Sequence, residues 1–133
     1  MITSPRSPNS SPNGKAPRTK RLSVICKRYD TVVVPFPFAD IPILKRRPVV
    51  VLSGRSFNVT NQATVVAMIT TAKASSWPSD ILLGDLQTAN LPVACVVRWR
   101  LTTVPNDLIL RHLGALGPLD RLACEREFAN MLI

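Results

Sequence analysis

The sequence has little of the residue types on which several common chemistries depend. It holds one histidine, three cysteines and five glycines among 133 residues. The glycines form no phosphate-binding loop, and the lone His112 lies in the apolar run LILRHLGAL, where a histidine is more often structural than catalytic. The sequence contains no Ser-His-Asp set and no metal-ligand cluster. Nucleotide hydrolysis and metalloenzyme chemistry are therefore disfavoured, and we expect no cofactor.

The cysteine count and the lack of long apolar runs indicate a reducing, aqueous compartment. Cys26, Cys95 and Cys124 are odd in number and widely spaced, so they match neither a disulfide framework nor a zinc motif. Cys95 and Cys124 lie in apolar runs and are expected to be buried thiols. No apolar run approaches the roughly 20 residues that span a membrane, and no secretory signal is visible. The expected location is the cytoplasm, without membrane contact.

Acidic residues are missing from residues 1–28, which hold seven basic groups. The rest of the chain holds ten basic and eight acidic groups, so most of the net charge of +9 belongs to this arm. The arm is rich in Ser and Pro, and residues 1–20 are almost free of apolar side chains, so it is predicted to be disordered. Weak electrostatic contact with RNA or DNA is the functional alternative. Residues 29–133 are predicted to form one small domain.

Short apolar runs rich in β-branched residues recur through this domain. They predict strands at residues 32–38, 48–53, 63–70, 80–83 and 93–103. Proline in the first run predicts an edge or a bulge at the end of that strand. Residues 54–62 are polar and predicted to form a turn, while residues 108–116 fit either a strand or a short helix.

One helix is predicted, over residues 118–132. Pro118 suits its first turn, and Asp120 lies near the positive end of the helix dipole. An apolar stripe on this helix would comprise Leu119, Leu122, Ala123, Ala129 and Leu132. The fold class is therefore mainly β, with some α: a small β-barrel or sheet with one helix packed on it.

The groups left for chemistry are arginines and hydroxyls at or near the ends of predicted strands: Arg47, Ser53, Thr70, Thr71, Arg98 and Arg100. A guanidinium matches phosphate oxygens in geometry, stays charged, and can stabilise charge that develops in a transition state. A threonine hydroxyl can donate a further hydrogen bond. In RNA the 2′-hydroxyl lies beside the phosphate and can act as nucleophile, so this chemistry needs neither metal nor histidine in principle.

Each of these residues also has a structural interpretation. Lys45, Arg46 and Arg47 form a basic run that is typical of a solvated loop. Arg98 and Arg100 alternate with Trp99 and fit the outward face of an amphipathic strand. Trp77 and Trp99 are more often packing residues than base-stacking platforms. The residues alone predict a small β-rich domain with a candidate phosphate-binding face.

Five segments, in order along residues 29–133, resemble the MazF/PemK family of toxin endoribonucleases. They are YDTVVVPFPF from Tyr29, RPVVVLS from Arg47, VVAMITT from Val65, VVR ending at Arg98, and LGAL from Leu113 followed by the helix. The resemblance implies an SH3-like barrel with a C-terminal helix, and a homodimer. It implies metal-independent cleavage of single-stranded RNA (mRNA) to 2′,3′-cyclic phosphate and 5′-hydroxyl ends. It also implies a cognate antitoxin whose tail occupies the RNA groove.

Matching the family motifs residue by residue assigns expected roles. Arg47 would contact and polarise the phosphate, Thr70 would hold it, and Arg98 would act as the general acid that some members use. Residues 39–46 fall where the family has a mobile RNA-contacting loop, and residues 108–116 become a strand. The residues expected to contact RNA are Lys45, Arg46, Ser53, Thr71 and Arg100.

Two positions depart from the family pattern. The segment before Arg47 lacks the Glu-Gln or His-Glu pair of many members. Arg100 stands where some members place an aspartate that acts as the base. Three alternatives follow: cleavage by positioning and charge stabilisation, cleavage with a different proton-transfer residue, or a binding module of the same fold that does not cleave. The last would grip a protein target, as gyrase-poisoning relatives do, or bind RNA alone.

Overall fold

The structure is a computed structural model that describes residues 24–38, 41–73 and 76–133. Its six strands form one curled antiparallel sheet in the order β4-β5-β3-β2-β1-β6. The strands are β1 (Asp30–Phe38), β2 (Ile41–Val51), β3 (Ala63–Thr71), β4 (Ile81–Leu82), β5 (Cys95–Pro105) and β6 (Arg111–Ala115). The prediction of a mainly β fold is confirmed, and residues 108–116 contribute a strand.

Within the described residues, three α-helices and one short 3₁₀ helix (Asn106–Leu108) join or follow the strands. The α-helices are α1 (Arg55–Asn61), α2 (Leu86–Ala89) and α3 (Pro118–Leu132). The bounds of α3 match the prediction, but the predicted turn at residues 54–62 was wrong because it contains α1. The buried side chain of Asn58 explains α1. Its Nδ2 donates to the carbonyl oxygens of Cys26 at 3.0 Å and Ser53 at 3.2 Å, which fixes a polar segment against the sheet.

The apolar core is divided between the two faces of the sheet, because successive strand residues alternate in direction. The first cluster lies on the face that α3 covers and comprises Val50, Leu52, Ala67, Ile69, Leu83, Ala89, Leu91, Cys95, Val97, Trp99, Leu116 and Cys124. The second cluster comprises Cys26, Val32, Val34, Phe36, Val49, Val51, Val66, Met68, Val104 and Ile109.

Strands β1 and β2 form a long hairpin where the sequence predicted a loop. Strand β2 begins at Ile41, and Lys45 and Arg46 are exposed strand residues opposite Phe36 and Pro35. The loop predicted for residues 39–46 was therefore wrong from residue 41 onward, while residues 39 and 40 lie outside the described residues.

The end of β1 is both an edge and an irregular region, as its prolines predicted. Strand β6 pairs only with residues 30–33 of β1, so the Pro35 end has β2 as its single described neighbour. The register shifts between Phe36 and Phe38. Proline has no N–H to donate to a neighbouring strand. It is tolerated at positions 35 and 37 because this end of β1 lies at an edge of the sheet.

The folded domain begins before residue 29. Cys26 is fully buried in the second cluster, Lys27 N donates to Asp30 Oδ2 at 2.8 Å, and Arg28 Nε donates to the carbonyl oxygen of Leu52 at 2.9 Å. The prediction of a disordered arm over residues 1–28 therefore does not apply to residues 24–28, and residues 1–23 lie outside the described residues.

Helix α3 is anchored by a carboxylate rather than by the predicted apolar stripe. Asp120 is buried, and its oxygens accept hydrogen bonds from Gly84 N at 2.9 Å and Asp85 N at 3.0 Å. Cys124 is fully buried, and the ring of Phe128 packs 6.0 Å from that of Trp99. Within the predicted stripe, by contrast, four members are exposed: Leu119, Leu122, Ala129 and Leu132.

Strand β6 and helix α2 approach each other closely at Gly114. A Cβ added at this position would clash with the carbonyl oxygen of Thr88 and lie 3.2 Å from the carbonyl carbon of Ala89. On the adjacent strand, the hydroxyl of Thr31 donates to the carbonyl oxygen of Ala89 at 2.8 Å. The short helix is thus held against β6 and β1, and the segment that follows it is fixed beside the end of β3.

Candidate active site

A cleft opens where strands β2 and β3 part. Their pairing covers three residue pairs, from Val49↔Met68 to Val51↔Val66. Continuing that register by two residues would place Arg47 opposite Thr70. Since Pro48 has no amide hydrogen, β2 loses a donor at the position where the pairing stops. The motif of arginine before proline therefore marks the start of an open seam in the sheet.

This seam forms part of a cleft of about 520 Å³, and the two residues predicted to hold phosphate both border it. Its lining residues come from β1, β2, β3, β5, β6 and the segment after α2: Val33, Arg47, Pro48, Ile69, Thr70, Thr71, Asn90, Leu91, Pro92, Val93, Cys95, Arg111 and Leu113. Two of them are cationic, three carry neutral polar side chains, and none of these described residues is acidic. Such a lining favours an anionic ligand that also has apolar surface.

The second cation of the cleft, Arg111, was missed in the sequence. It lies in the apolar run LILRHLGAL, directly before His112. Strand pairing is the signal that locates it: Val33 of β1 has Pro48 as its neighbour on one side and Arg111 on the other. Because neighbouring strands lie about 5 Å apart, the backbones of Arg47 and Arg111 are roughly 10 Å apart. Both arginines border the same cleft.

His112 and Ser53, by contrast, form an ion pair or hydrogen bonds with residues outside the described lining of the cleft. Nε2 of His112 lies 3.5 Å from the carboxylate of the buried Asp30. The Ser53 hydroxyl pairs with Asn58 Oδ1 and accepts a hydrogen bond from Val65 N at 2.8 Å. The structure therefore does not bring Ser53 to the other predicted RNA contacts, although it does place Thr71 among the lining residues.

Arg98 faces a turn rather than lining the cleft. Its Nε and one terminal nitrogen donate to the two oxygens of Asp80 at 3.1 and 2.8 Å, in a largely buried ion pair. This hydrogen-bonded pairing holds the pKa of Asp80 below its usual 3.8 and raises the pKa of Arg98. A guanidinium that holds its proton more tightly is a weaker general acid.

The indole of Trp77 lies beside this pair. The guanidinium carbons of Arg98 and Arg100 lie 5.6 and 5.8 Å from its ring centroid, within the range of cation–π attraction. Asp80 Oδ2 also accepts from Trp77 N at 3.0 Å. Thus both arginines contact the turn at residues 77–80 and fix it against β5. Neither is among the described residues that line the cleft.

The ion pair leads to a prediction about acid stability. An aspartate with a lower pKa in the folded than in the unfolded chain adds stability above the unfolded pKa and loses it as pH falls through the folded value. We expect Asp80→Asn to lower the unfolding free energy at pH 7 by about 2 kcal/mol, because Arg98 loses its charged partner. The difference should shrink as the pH falls below the usual pKa of 3.8 and Asp80 is protonated. Urea unfolding at pH 7 and across that acidic range measures this, and a pH-independent difference would contradict it.

The three cysteines are buried, free thiols. Burial, with a smaller effect of Asp30, raises the pKa of Cys26 to about 11, and burial with a smaller effect of Asp120 raises that of Cys124 to about 12. Neither is an activated nucleophile. Within the described ranges no group of three or more His, Cys, Asp or Glu side chains could hold a metal ion. The same residues include no helix long and apolar enough to cross a membrane.

Comparison with known families identifies the fold that carries this cleft. The model of the family described as "PemK-like, MazF-like toxin of type II toxin-antitoxin system" matches residues 27–132. The chain belongs to this family. The resemblance drawn from the ordered motifs is confirmed, and the matched range begins within the segment that packs Cys26 into the core.

Solved structures of MazF proteins and related toxins share the fold. MazF from Deinococcus radiodurans is 20% identical with a TM-score of 0.65, covering 82% of this chain and 97% of its own. An endoribonuclease in complex with its cognate antitoxin, from a mycobacterial species, is 16% identical with a TM-score of 0.63, covering 81% and 93%. Mycobacterium tuberculosis toxin MazF-mt6 is 19% identical with a TM-score of 0.60, covering 76% and 93%. A comparison with curated protein sequences gives no match.

These likenesses confirm the predicted MazF-type barrel with its C-terminal helix. The chain is a toxin of the type II toxin–antitoxin class. Within this MazF-like chain, Arg47, Thr70 and Thr71 border one cleft, whereas Arg98, Arg100 and Ser53 lie outside its described lining. The exposed Lys45 and Arg46 precede Arg47 on the same strand.

Proposed function

We propose that this MazF-like chain cleaves single-stranded RNA, in particular mRNA, and that Arg47 and Thr70 hold the scissile phosphate. The observation that carries this proposal is the opening of β2 from β3, which leaves these two residues bordering one cleft. Two structural neighbours from mycobacterial species are endoribonucleases, which supports RNA as the substrate. The expected localisation is the cytoplasm, where mRNA is available.

The proposed chemistry uses the RNA's own 2′-hydroxyl as nucleophile. The hydroxyl gives up its proton as its oxygen forms a bond to phosphorus, while the bond from phosphorus to the 5′-oxygen breaks and that oxygen takes up a proton. The products are a 2′,3′-cyclic phosphate and a 5′-hydroxyl end, with no metal in the step. Arg47 and Thr70 donate hydrogen bonds to the non-bridging oxygens, where charge builds in the transition state. Arg111, Lys45, Arg46 and Thr71 contact flanking RNA.

For Arg98 the geometry supports a positioning role. Its guanidinium binds Asp80, and with Trp77 it fixes the turn at residues 77–80 on β5. Arg100 contributes to the same cluster through Trp77. Proton transfer during cleavage then falls to groups other than Arg98, whose pKa is raised by its partner.

The proposed protein partners are a second copy of the chain and a cognate antitoxin. Helix α3 presents exposed apolar side chains at Leu119, Leu122 and Leu132, which suit burial against another copy. Neighbours with similar folds include a MazE–MazF complex and an endoribonuclease bound to its cognate antitoxin. An acidic antitoxin tail would compete with RNA for the cleft that Arg47 and Arg111 border.

A second candidate function is RNA binding without cleavage. Among the described residues that line the cleft, none carries a carboxylate or an imidazole, the usual groups for proton transfer. Such a protein would bind single-stranded RNA with a steep dependence on salt concentration and leave it intact. The experiment below separates the two functions.

The proposal predicts cleavage of single-stranded RNA in excess EDTA. Replacing Thr70 with valine, which keeps the shape but removes the hydroxyl, is expected to lower the cleavage rate by about 10²-fold. The loss of one hydrogen bond to the phosphate is the reason. Gel electrophoresis of end-labelled RNA measures the rate, and chemical analysis of the products identifies the cyclic phosphate.

Thr103→Val is the matched control, because Thr103 is an exposed strand threonine outside the described lining of the cleft. Its rate should equal that of the parent. Cleavage that stops in EDTA, or Thr70→Val cleaving as fast as Thr103→Val, would refute the proposed mechanism. Tight binding of intact RNA would support the second function instead.

A further inference from the structure

Asn90 occupies the rim of the cleft in a fixed conformation. It ends helix α2 with a left-handed φ of 58°, and its backbone N–H donates to the carbonyl oxygen of Gln87 at 3.1 Å. Asparagine adopts this conformation more readily than most residues. The helix end therefore explains the backbone of Asn90, but it does not require a carboxamide at the cleft.

The orientation of that carboxamide is set by strand β6. Asn90 Nδ2 donates to the carbonyl oxygen of Leu113 at 3.2 Å. The opposite orientation would bring two acceptor oxygens together, so Oδ1 is directed away from Leu113. In the described parts of the chain no group donates a hydrogen bond to Oδ1. The exposed rim of the cleft thus presents a positioned hydrogen-bond acceptor.

An apolar surface lies directly beside this acceptor. Leu91, Pro92 and Val93 follow Asn90 along the chain, and with Val33 and Leu113 they supply most of the apolar lining of the cleft. The hydrogen bond from Ala72 N to the carbonyl oxygen of Ala94, at 3.0 Å, fixes this segment against the end of β3. Phosphate contacts alone do not use such a surface, whereas the face of a nucleobase does.

The cleft also has the size and charge distribution that a nucleotide needs. Its volume of about 520 Å³ lies within the range of ligand pockets, roughly 300–1,000 Å³. Arg47 and Arg111 are its two cations, and the apolar segment after Asn90 borders the same space. A phosphate can therefore contact an arginine while the attached base lies against the apolar surface.

We propose that Asn90 selects the base that lies next to the scissile phosphate, favouring adenine or cytosine. Both bases carry an exocyclic amino group, N6 or N4, that can donate to Oδ1. For a base held in the same orientation by the apolar surface, uracil O4 and guanine O6 take the place of that amino group and oppose Oδ1 as acceptors; selection therefore depends on that orientation, because uracil N3 and guanine N1 and N2 also carry hydrogens. This inference rests on the proposed RNA cleavage and names one element of its sequence preference, which no phosphate contact can supply.

The test compares cleavage-site profiles of the full chain on a random-sequence single-stranded RNA library, by sequencing the new ends. The parent is expected to favour adenine or cytosine about tenfold over uracil and guanine at one position beside the cut. Asn90→Gly should reduce that preference to less than about twofold and leave preferences at other positions unchanged. Glycine retains the left-handed backbone, so the helix end is preserved.

Gln62→Gly is the matched control. Gln62 is also exposed, also ends a helix with a left-handed φ of 51°, and also donates from its side-chain amide to a backbone carbonyl, that of Val59 at 2.9 Å. It lies outside the described lining of the cleft, so its profile should equal that of the parent.

Three outcomes would overturn the inference. If Asn90→Gly cleaves with the parental profile, RNA cleavage stands and Asn90 selects no base. If the parent favours uracil or guanine at the affected position, the assignment of Oδ1 as the selecting atom is wrong. If the parent cleaves no RNA, the proposed function fails and this inference fails with it.

Discussion

Replacing Arg47 with alanine is expected to lower the rate of RNA cleavage by about 10³-fold while the fold is retained. The guanidinium is the charged group bordering the seam between β2 and β3, where Thr70 is the penultimate residue of the facing strand. Its removal deletes both the charge and the paired hydrogen bonds that stabilise the transition state. Arg47→Lys should recover only part of the rate, because an ammonium lacks the planar fork. Single-turnover cleavage of a labelled RNA measures both variants.

Two other arginines serve as controls for Arg47. Arg55→Ala removes an exposed arginine of α1 whose guanidinium donates to the carbonyl oxygen of Ile25 at 3.4 Å, and it should cleave at the parental rate. Arg98→Lys should cost less than about tenfold in rate if Arg98 only positions the turn at residues 77–80. Equal losses in Arg47→Ala and Arg55→Ala would refute the role of Arg47. A loss of about 10³-fold in Arg98→Lys would restore Arg98 as a catalytic residue.

The largest effect on stability is expected from Gly114→Ala. The added methyl group would clash with the carbonyl oxygen of Thr88, and backbone atoms cannot give way as the end of a side chain can. Separating α2 from β6 is expected to cost about 3 kcal/mol, within the range for overpacked cores. For a domain of this size that corresponds to a fall in Tm of roughly 10 °C or more. Calorimetry or thermal denaturation followed by circular dichroism measures it.

Gly84→Ala is the matched control for this substitution. A Cβ at Gly84 would meet its nearest neighbour, Asp120 Oδ1, at 3.5 Å, an ordinary contact distance. Its unfolding free energy should lie within about 0.5 kcal/mol of the parental value. Equal unfolding free energies for the two variants would show that the close approach of β6 and α2 does not limit stability. The contact that positions Asn90 would then be less rigid than the structure indicates.

The elements that follow from local pattern could be predicted from the sequence. Helix α3 has its expected bounds, and strand β3 has its expected start at residue 63, because β-branched runs and a proline at a helix start are local signals. The ordered motifs also pointed to Arg47 and Thr70, both of which border the cleft. Helix α1 was missed, because its stability depends on the buried contacts of Asn58 with a distant segment.

Other parts of the site depend on contacts between residues that are distant in the sequence, and local pattern could not predict them. The pairing of Arg98 with Asp80 joins residues 18 positions apart and is fixed by the turn that contacts Trp77. Arg111 joins the cleft only because β6 pairs with β1. The exposed stripe of α3 has a similar cause, because the buried carboxylate of Asp120 sets the rotation of the helix. Amphipathic pattern alone predicts the opposite face.

The short ladder between β2 and β3 has a thermodynamic consequence. It joins β6-β1-β2 to β3-β5-β4 through three residue pairs, and the cleft begins where that ladder ends. A phosphate held by Arg47 and Thr70 would therefore bind both strands and so link the two halves of the sheet. Because a ligand that binds only the folded chain stabilises it, RNA bound at this point is expected to raise the free energy of unfolding.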